Sequence, residues 1–170
     1  MNAAAAIGAL AKTVPAASAA VRQVELSEEE LALSRLGRID YYDAFLARTD
    51  LVRRGSGEDW ARAVLEGAPA AIRGVLQAGW TSLGLKLGST PPERFVLGWE
   101  LQHSDADHAL LAAGSRLGLP GELLFKRRSD GLVLATFVCQ ENATARAMWA
   151  GTAPVHRRVV PHILDLTVAA

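Results

Sequence analysis

A chain of 170 residues, 50% hydrophobic and 21% charged, is long enough for one domain that buries roughly 70% of the surface its unfolded form exposes. Its 18 basic and 18 acidic side chains cancel, which removes any general attraction to anionic lipid or phosphate backbones and makes nucleic acid a poor partner. The one cysteine, Cys139, excludes an internal disulfide, and no apolar run reaches the roughly 18 residues of a membrane span.

In chain order, Met1 to Ala20 (MNAAAAIGALAKTVPAASAA) carry no Lys or Arg ahead of the apolar part, and Lys12 interrupts it, so a secretory signal is a weak reading. Residues 1–23 are expected to form a disordered alanine-rich leader and 24–170 a single domain, with the cytoplasm as its expected place. Ser27 and Glu30 stand at capping-box spacing, which predicts a short helix within Val24–Leu36. Arg38–Arg48 (RIDYYDAFLAR), if extended, puts Ile39, Tyr41 and Asp43 on one face and Tyr42, Ala44 and Leu46 on the other. It is read as the first strand.

Past the polar hinge Arg53–Gly57, a helix begins with Ser56 or Gly57 as cap, Glu58 and Asp59 in its first turn, and Trp60 and Val64 at i,i+4. Gly67 is expected to end it and Pro69 to take the N1 position of a second helix. That helix has an apolar stripe of Ile72, Leu76, Trp80, Leu83 and Leu87, which needs burial against a flat apolar surface. Gly74, Gly79 and Gly84 weaken it in isolation and leave room for close packing.

Ser89-Thr90-Pro91-Pro92 breaks the chain, and from Phe95 the period becomes two. Phe95, Leu97, Trp99 and Leu101 share one face, with Glu100 and Gln102 on the other, predicting one half-buried strand. His103–His108 (HSDADH) reads as a tight hairpin connection. His108–Gly114, Gly121–Arg127 and Leu132–Gln140 read as further strands, with Ser129-Asp130-Gly131 a hairpin turn. From Thr144 onward Met148, Val155, Val159 and Leu166 recur at helical spacing, with Thr152 and His162 in the same stripe, so a long amphipathic helix closes the chain. Pro154 and Pro161 each remove an amide from it and can kink its axis. The expected class is α+β: an antiparallel sheet packed by a helix pair and a long C-terminal helix. The run Leu132–Cys139 is apolar on both faces, so its second face calls for the helix pair or for a second subunit in a homodimer.

DYYDAF at Asp40–Phe45, DWARAVLEGAPAAIRGVL at Asp59–Leu76, GWELQHSDAD at Gly98–Asp107 and APVHRRVVPHIL at Ala153–Leu164 resemble a bacterial branch of the START-like (SRPBCC) helix-grip superfamily, over about residues 38–168. The resemblance implies a curved sheet gripping the last helix around a cavity. Members use that cavity for sterols, lipids, plant hormones or polyketide intermediates, and only some are catalytic. No catalytic residue carries over.

The candidate chemistry is sparse. His103, Asp105, Asp107 and His108 are zinc-type donors, but a solvated hairpin tip holds the same residues, so neither metal nor cofactor is expected. Cys139 reads as a small buried hydrophobe. His162 lies on the buried stripe of the closing helix, where it is a satisfied core histidine or an acid/base group acting on a bound carbonyl compound. It is the first catalytic candidate. Trp99 and Trp149 are core residues or a pocket floor. With them the expected ligand contacts are Leu101, Phe125 and Thr136 on the strands, and Met148, Val155, His156 and Val159 on the helix. Arg127, Arg128, Arg157 and Arg158 are solvated faces or a carboxylate clamp. No phosphate loop, Cys-pair zinc motif or nucleophile elbow competes. The expected function is binding of a small hydrophobic or amphipathic molecule, with or without cofactor-independent cyclisation or isomerisation of a polyketide-like substrate. The alternatives are a non-catalytic carrier or sensor, and a structural subunit that docks a second protein.

Overall fold

The computed structural model describes residues 3–170. Seven antiparallel strands form one open sheet in the order β1-β2-β7-β6-β5-β4-β3: β1 Val21–Gln23, β2 Tyr41–Ala47, β3 Phe95–Val96, β4 Trp99–Ser104, β5 His108–Ala113, β6 Gly121–Arg128 and β7 Gly131–Val138. Helices α1 Ala3–Thr13, α2 Glu28–Leu31, α3 Gly57–Leu65, α4 Ala70–Ser82 and α5 Ala143–Ala169 pack around it. The α+β class and the long closing helix stand, and the arrangement is compatible with a helix grip. No helix among the described residues is long and apolar enough to cross a membrane.

Side-chain alternation divides the sheet into two buried faces. The inner face carries Phe45, Leu111, Leu123, Phe125, Leu132 and Leu134, packed against Trp60, Val64 and Leu65 of α3 and Ile163 and Leu164 of α5. Helix α3 is held at its start by a capping box between Ser56 and Asp59. The tip of the β4–β5 hairpin docks there too: the Gly57 N–H donates to the Asp105 carbonyl at 2.8 Å, and the Glu58 N–H to Ser104 Oγ at 2.9 Å. A Cβ at Gly57 would lie 2.2 Å from the His108 carbonyl carbon, so only glycine permits this approach.

The outer face, built from Ala44, Leu46, Leu110, Leu124, Val133, Ala135 and Phe137, is also buried. Its cover is the chain's own segment 24–39: Leu26 inserts fully, with Val24, Leu31, Leu33, Leu36 and Ile39 beside it. Two carboxylates anchor the segment. Glu122, 2% exposed on β6, accepts the Arg35 N–H at 3.0 Å and the Ser34 hydroxyl. Glu30 of α2, whose predicted capping box with Ser27 is present, accepts from Arg128 Nε at 2.8 Å and Nη2 at 2.6 Å. The need for a second subunit over β7 is thereby met within one chain.

Four further expectations are corrected. The leader is not disordered over its described residues. Ala11 and Val14 are buried and α1 lies against α4 and α5. Ser18 donates its N–H to Asp165 of α5 at 2.8 Å, and its hydroxyl to the same carboxylate. Residues 21–23 pair with β2. Alanine has the highest helix propensity, and an alanine-rich stretch shows little apolar period to read. Second, the strand expected from Phe95 to Leu101 is a hairpin. Leu97 and Gly98 take φ values of 47° and 97°, and Phe95 pairs with Glu100 and Val96 with Trp99. That is the two-residue geometry usually signalled by Asn-Gly or Asp-Gly, and a left-handed leucine costs about 1–2 kcal/mol, so pattern alone does not suggest it. Third, Pro69 is the N-cap of α4, one residue before N1. Fourth, α4 ends at Ser82 with Leu83 as C-cap, and Leu87 lies beyond it. Helix α5 continues through Pro154 and Pro161 as one element.

Candidate functional site

Between the inner face of the sheet, α4 and α5 lies a cavity of about 100 Å³. Leu123, Leu134 and Thr136 are on its sheet side, and Val75, Leu76 and Trp80 come from α4. From α5 it meets Trp149, Thr152, Val155, His156 and Val159. Trp99 of β4 closes one side, its ring edge-on to Trp80 with centroids 5.5 Å apart. On the α4 side Ile72, Val75, Leu76 and Trp80 are all only half-buried. A groove of about 490 Å³ by Arg48, Asp50, Arg53 and Asp130 is larger but polar and open, and no unpartnered buried side-chain atom lines it.

The cavity is apolar except for a few polar atoms. Among the described residues, Trp99 Nε1, Thr136 Oγ1 and Trp149 Nε1 are the buried side-chain nitrogens and oxygens without a hydrogen-bond partner in the protein, and all three residues line this cavity. Each such group costs about 1–3 kcal/mol when left unmet. The fold bears that cost in one place.

Beside them is a buried acid. Asp43 on β2, with 1% of its side chain exposed, faces Thr136 across the β2–β7 ladder. Its carboxylate accepts the Tyr41 hydroxyl at 2.6 Å and lies 3.1 Å from His156 Nε2. Burial first, and the Asp43 carboxylate second, push the Tyr41 hydroxyl up to about 12. Arg157 Nη1 reaches the Tyr41 oxygen at 3.4 Å. The Trp149 ring packs against both Tyr41 and His156, with centroids 5.2 Å from each. No hydrogen bond occupies His156 Nδ1 among the described residues.

Of the expected contacts, Trp99, Thr136, Trp149, Val155, His156 and Val159 line the cavity, while Leu101, Phe125 and Met148 do not. Phe125 is sealed in the core at 0% exposure, Leu101 packs against the same core, and Met148 lies against the cluster containing Trp149. His162 is half-buried and does not line the cavity either. The buried side of α5 runs through Ala145, Trp149, Ala153, Val159, Val160, Ile163 and Leu164. That phase carries His156 to the cavity and gives the positions after Pro161 to Ile163 and Leu164. Residue type and spacing alone do not mark Tyr41 and Asp43 for chemistry. Their signal is an acid on the inward face of a strand whose other inward residues are aromatic or apolar.

The arginines divide. Arg128 is taken by Glu30, Arg157 leans on Tyr41, Arg127 Nε lies 4.0 Å from Asp107, and Arg158 is exposed. No clamp converges on the cavity. At the hairpin tip the structure brings His103, Asp105 and His108 together, with ligand atoms all within 4.8 Å, while Asp107 turns away to Lys126 at 2.5 Å. Two imidazoles and a carboxylate are a zinc-type donor set. Asp105 already has local work, accepting His103 Nε2 at 2.8 Å and the N–H groups of Asp107 at 2.7 Å and His108 at 2.9 Å. Those contacts, His103 first, hold its carboxyl well below the usual range, while burial lowers His108.

Compared with family models, with curated proteins and with solved structures, the chain matches none.

Proposed function

We propose that this protein binds a small, largely apolar molecule carrying a hydrogen-bond-accepting oxygen, held between the sheet, α4 and α5. The observation that carries this reading is that the unpartnered buried polar side-chain atoms among the described residues belong to Trp99, Thr136 and Trp149, all of which line one apolar cavity. Indole N–H groups only donate, and a threonine hydroxyl donates as readily as it accepts. A ligand carbonyl or ether oxygen is the matching group. The START-like resemblance points the same way, since that superfamily grips ligands between its sheet and last helix.

Size narrows the ligand. An apolar cavity of about 150 Å³ suffices for benzene, and this one is about 100 Å³. A short acyl unit is the class that fits the cavity as it stands, and a single ring needs a small outward shift of the half-buried α4 wall. A multi-ring polyketide would require the half-buried α4 wall to swing well outward. The protein-docking alternative loses its main support, because segment 24–39 covers the outer face.

Native mass spectrometry of the protein as purified from its expression host tests the reading. The expected result is a small-molecule adduct on the wild type that is absent from Val75→Trp, which fills the cavity from α4. Bare protein mass in both, after gentle purification and addition of host extract, would defeat it.

A further inference from the structure

We propose that His156, positioned by Asp43, is the acid/base group that shifts a proton on a small carbonyl compound, making the cavity the site of an isomerase. This rests on the cavity being a ligand site. The geometry has the parts such a reaction needs. His156 lines the cavity, and its Nε2 lies 3.1 Å from a carboxylate that is itself 1% exposed. With the proton on Nε2 directed to Asp43, the Nδ1 lone pair has no protein partner and is the base. Asp43 is a positioning residue: it fixes tautomer and ring orientation and stabilises the imidazolium that forms. The Tyr41 hydroxyl donates to Asp43 Oδ2 at 2.6 Å, the same oxygen that lies 3.1 Å from His156 Nε2, and so fixes the carboxylate. Around the same point stand unpaired donors. Thr136 is the cross-strand neighbour of Asp43, and Trp149 packs on the His156 ring.

A buried Asp–His contact alone is also found as a core feature. Two facts separate this one. The histidine is at the cavity wall and not enclosed in the core, and the unpaired N–H and O–H groups beside it are of the type that stabilises negative charge developing on oxygen.

The step conserves atoms and electrons. His156 Nδ1 takes a proton from a carbon next to the carbonyl, and the C–H bonding pair moves into the enolate. The enolate oxygen accepts hydrogen bonds from Thr136 Oγ1 and Trp149 Nε1. Where the enolate is conjugated with a neighbouring double bond, Nδ1–H returns the proton to the far carbon, giving a 1,3-shift with no co-reactant. The substrate class is a small β,γ-unsaturated ketone or a related enolisable carbonyl compound.

The test uses 3-cyclohexen-1-one, a small single-ring ketone that enters with a slight outward shift of α4. Its conversion to the conjugated 2-isomer is followed by ultraviolet absorbance, and its binding by saturation-transfer NMR. The wild type is expected to bind it and to accelerate the shift over buffer. His156→Gln, which keeps a donor toward Asp43, is expected to bind within about twofold of wild type and to lose about 100-fold or more in rate. Asp43→Asn should show the same split, with binding kept and turnover lost. Thr136→Val keeps the pair and removes one donor, so a fall of about 100-fold in turnover is expected there too; it covers the case in which the polar variants do not fold. Binding without acceleration by the wild type, or full turnover by His156→Gln, overturns the acid/base proposal and leaves the ligand site standing. No binding by the wild type overturns both.

Discussion

Asp43 and Thr136 face each other across the β2–β7 ladder, and their polar atoms are treated in opposite ways. The carboxylate has two partners, Tyr41 and His156, while the hydroxyl has none. A core selected only for stability would place an apolar residue at position 136, as most inward positions of β7 show. Thr136→Val is therefore expected to leave the ligand-free protein as stable or to stabilise it by up to about 1 kcal/mol, since it removes an unmet buried hydroxyl. Urea denaturation reads this. A loss of more than about 1 kcal/mol would mean that the hydroxyl has a partner in the folded state.

Tyr41 gives the pair a pH signature. Its hydroxyl rises from 10.0 to about 12 in the folded chain, so the folded state holds that proton more tightly than the unfolded one. The corresponding stability is complete below about pH 10 and is lost as the pH climbs toward 12. Tyr42 and Cys139 are raised in the same direction and add to the limb. Tyr41→Phe is expected to cost about 1–3 kcal/mol at neutral pH by removing a donor from a buried carboxylate. It should also make the alkaline fall in urea midpoint shallower. Identical alkaline limbs in wild type and variant would contradict the assignment.

Segment 24–39 is expected to act as the cover that keeps the outer face from self-association. Leu26→Glu puts a charge into that apolar contact, at a cost of several kcal/mol, and should convert a concentration-independent light-scattering mass into one that rises with concentration. An unchanged mass with unchanged stability would show that the segment is not needed there. Arg128→Met is the electrostatic counterpart, leaving Glu30 without its guanidinium. Glu30 is held below its ordinary value of 4.5, chiefly by Arg128, so this contribution is present above about pH 4.5 and fades as the pH falls through the lowered value. The variant should lose most of that acid-side dependence.

Two glycines on the helix pair should respond in opposite directions to alanine. Gly74, inside α4, has nothing within 4 Å of a built Cβ, so Gly74→Ala is expected to stabilise by about 1 kcal/mol through helix propensity. Gly57→Ala drives a methyl to 2.2 Å from the His108 backbone and should cost about 1–3 kcal/mol as α3 and the hairpin separate. Thermal melts of the two variants check the pair. A similar shift in both would show that α3 is not fixed against the hairpin.

Much of this architecture is legible in the residues. The capping box at Ser27, the helix start at Ser56 or Gly57, the turn at Ser129-Asp130 and the apolar run of β7 are local signals, and each lies where local chemistry puts it. The Leu97-Gly98 hairpin was hidden because a leucine holds the left-handed position. The leader's helix was hidden because alanine shows no face. The site was half legible. Trp99, Thr136, Trp149 and His156 stand out by type, but the phase of a 27-residue helix with two internal prolines drifts enough that His162 and His156 exchange roles. Asp43 and His156 lie 113 positions apart, and no periodicity links them. Only the β2–β7 pairing and the seating of α5 bring them together.

The indole N–H resonances of the four tryptophans test the cavity reading most directly, in a ¹⁵N-edited NMR titration with 3-cyclohexen-1-one. Trp60 is an internal control, because its indole donates to the Arg54 carbonyl at 2.8 Å and its side chain is sealed in the core. The expected result is a downfield, saturable shift of the Trp149 indole proton as it acquires an acceptor and a saturable shift at Trp99 on the cavity wall, with Trp60 unmoved. If Trp99 and Trp149 stay where they are, or if all four indoles drift together without saturation, their unpaired donors do not serve a ligand.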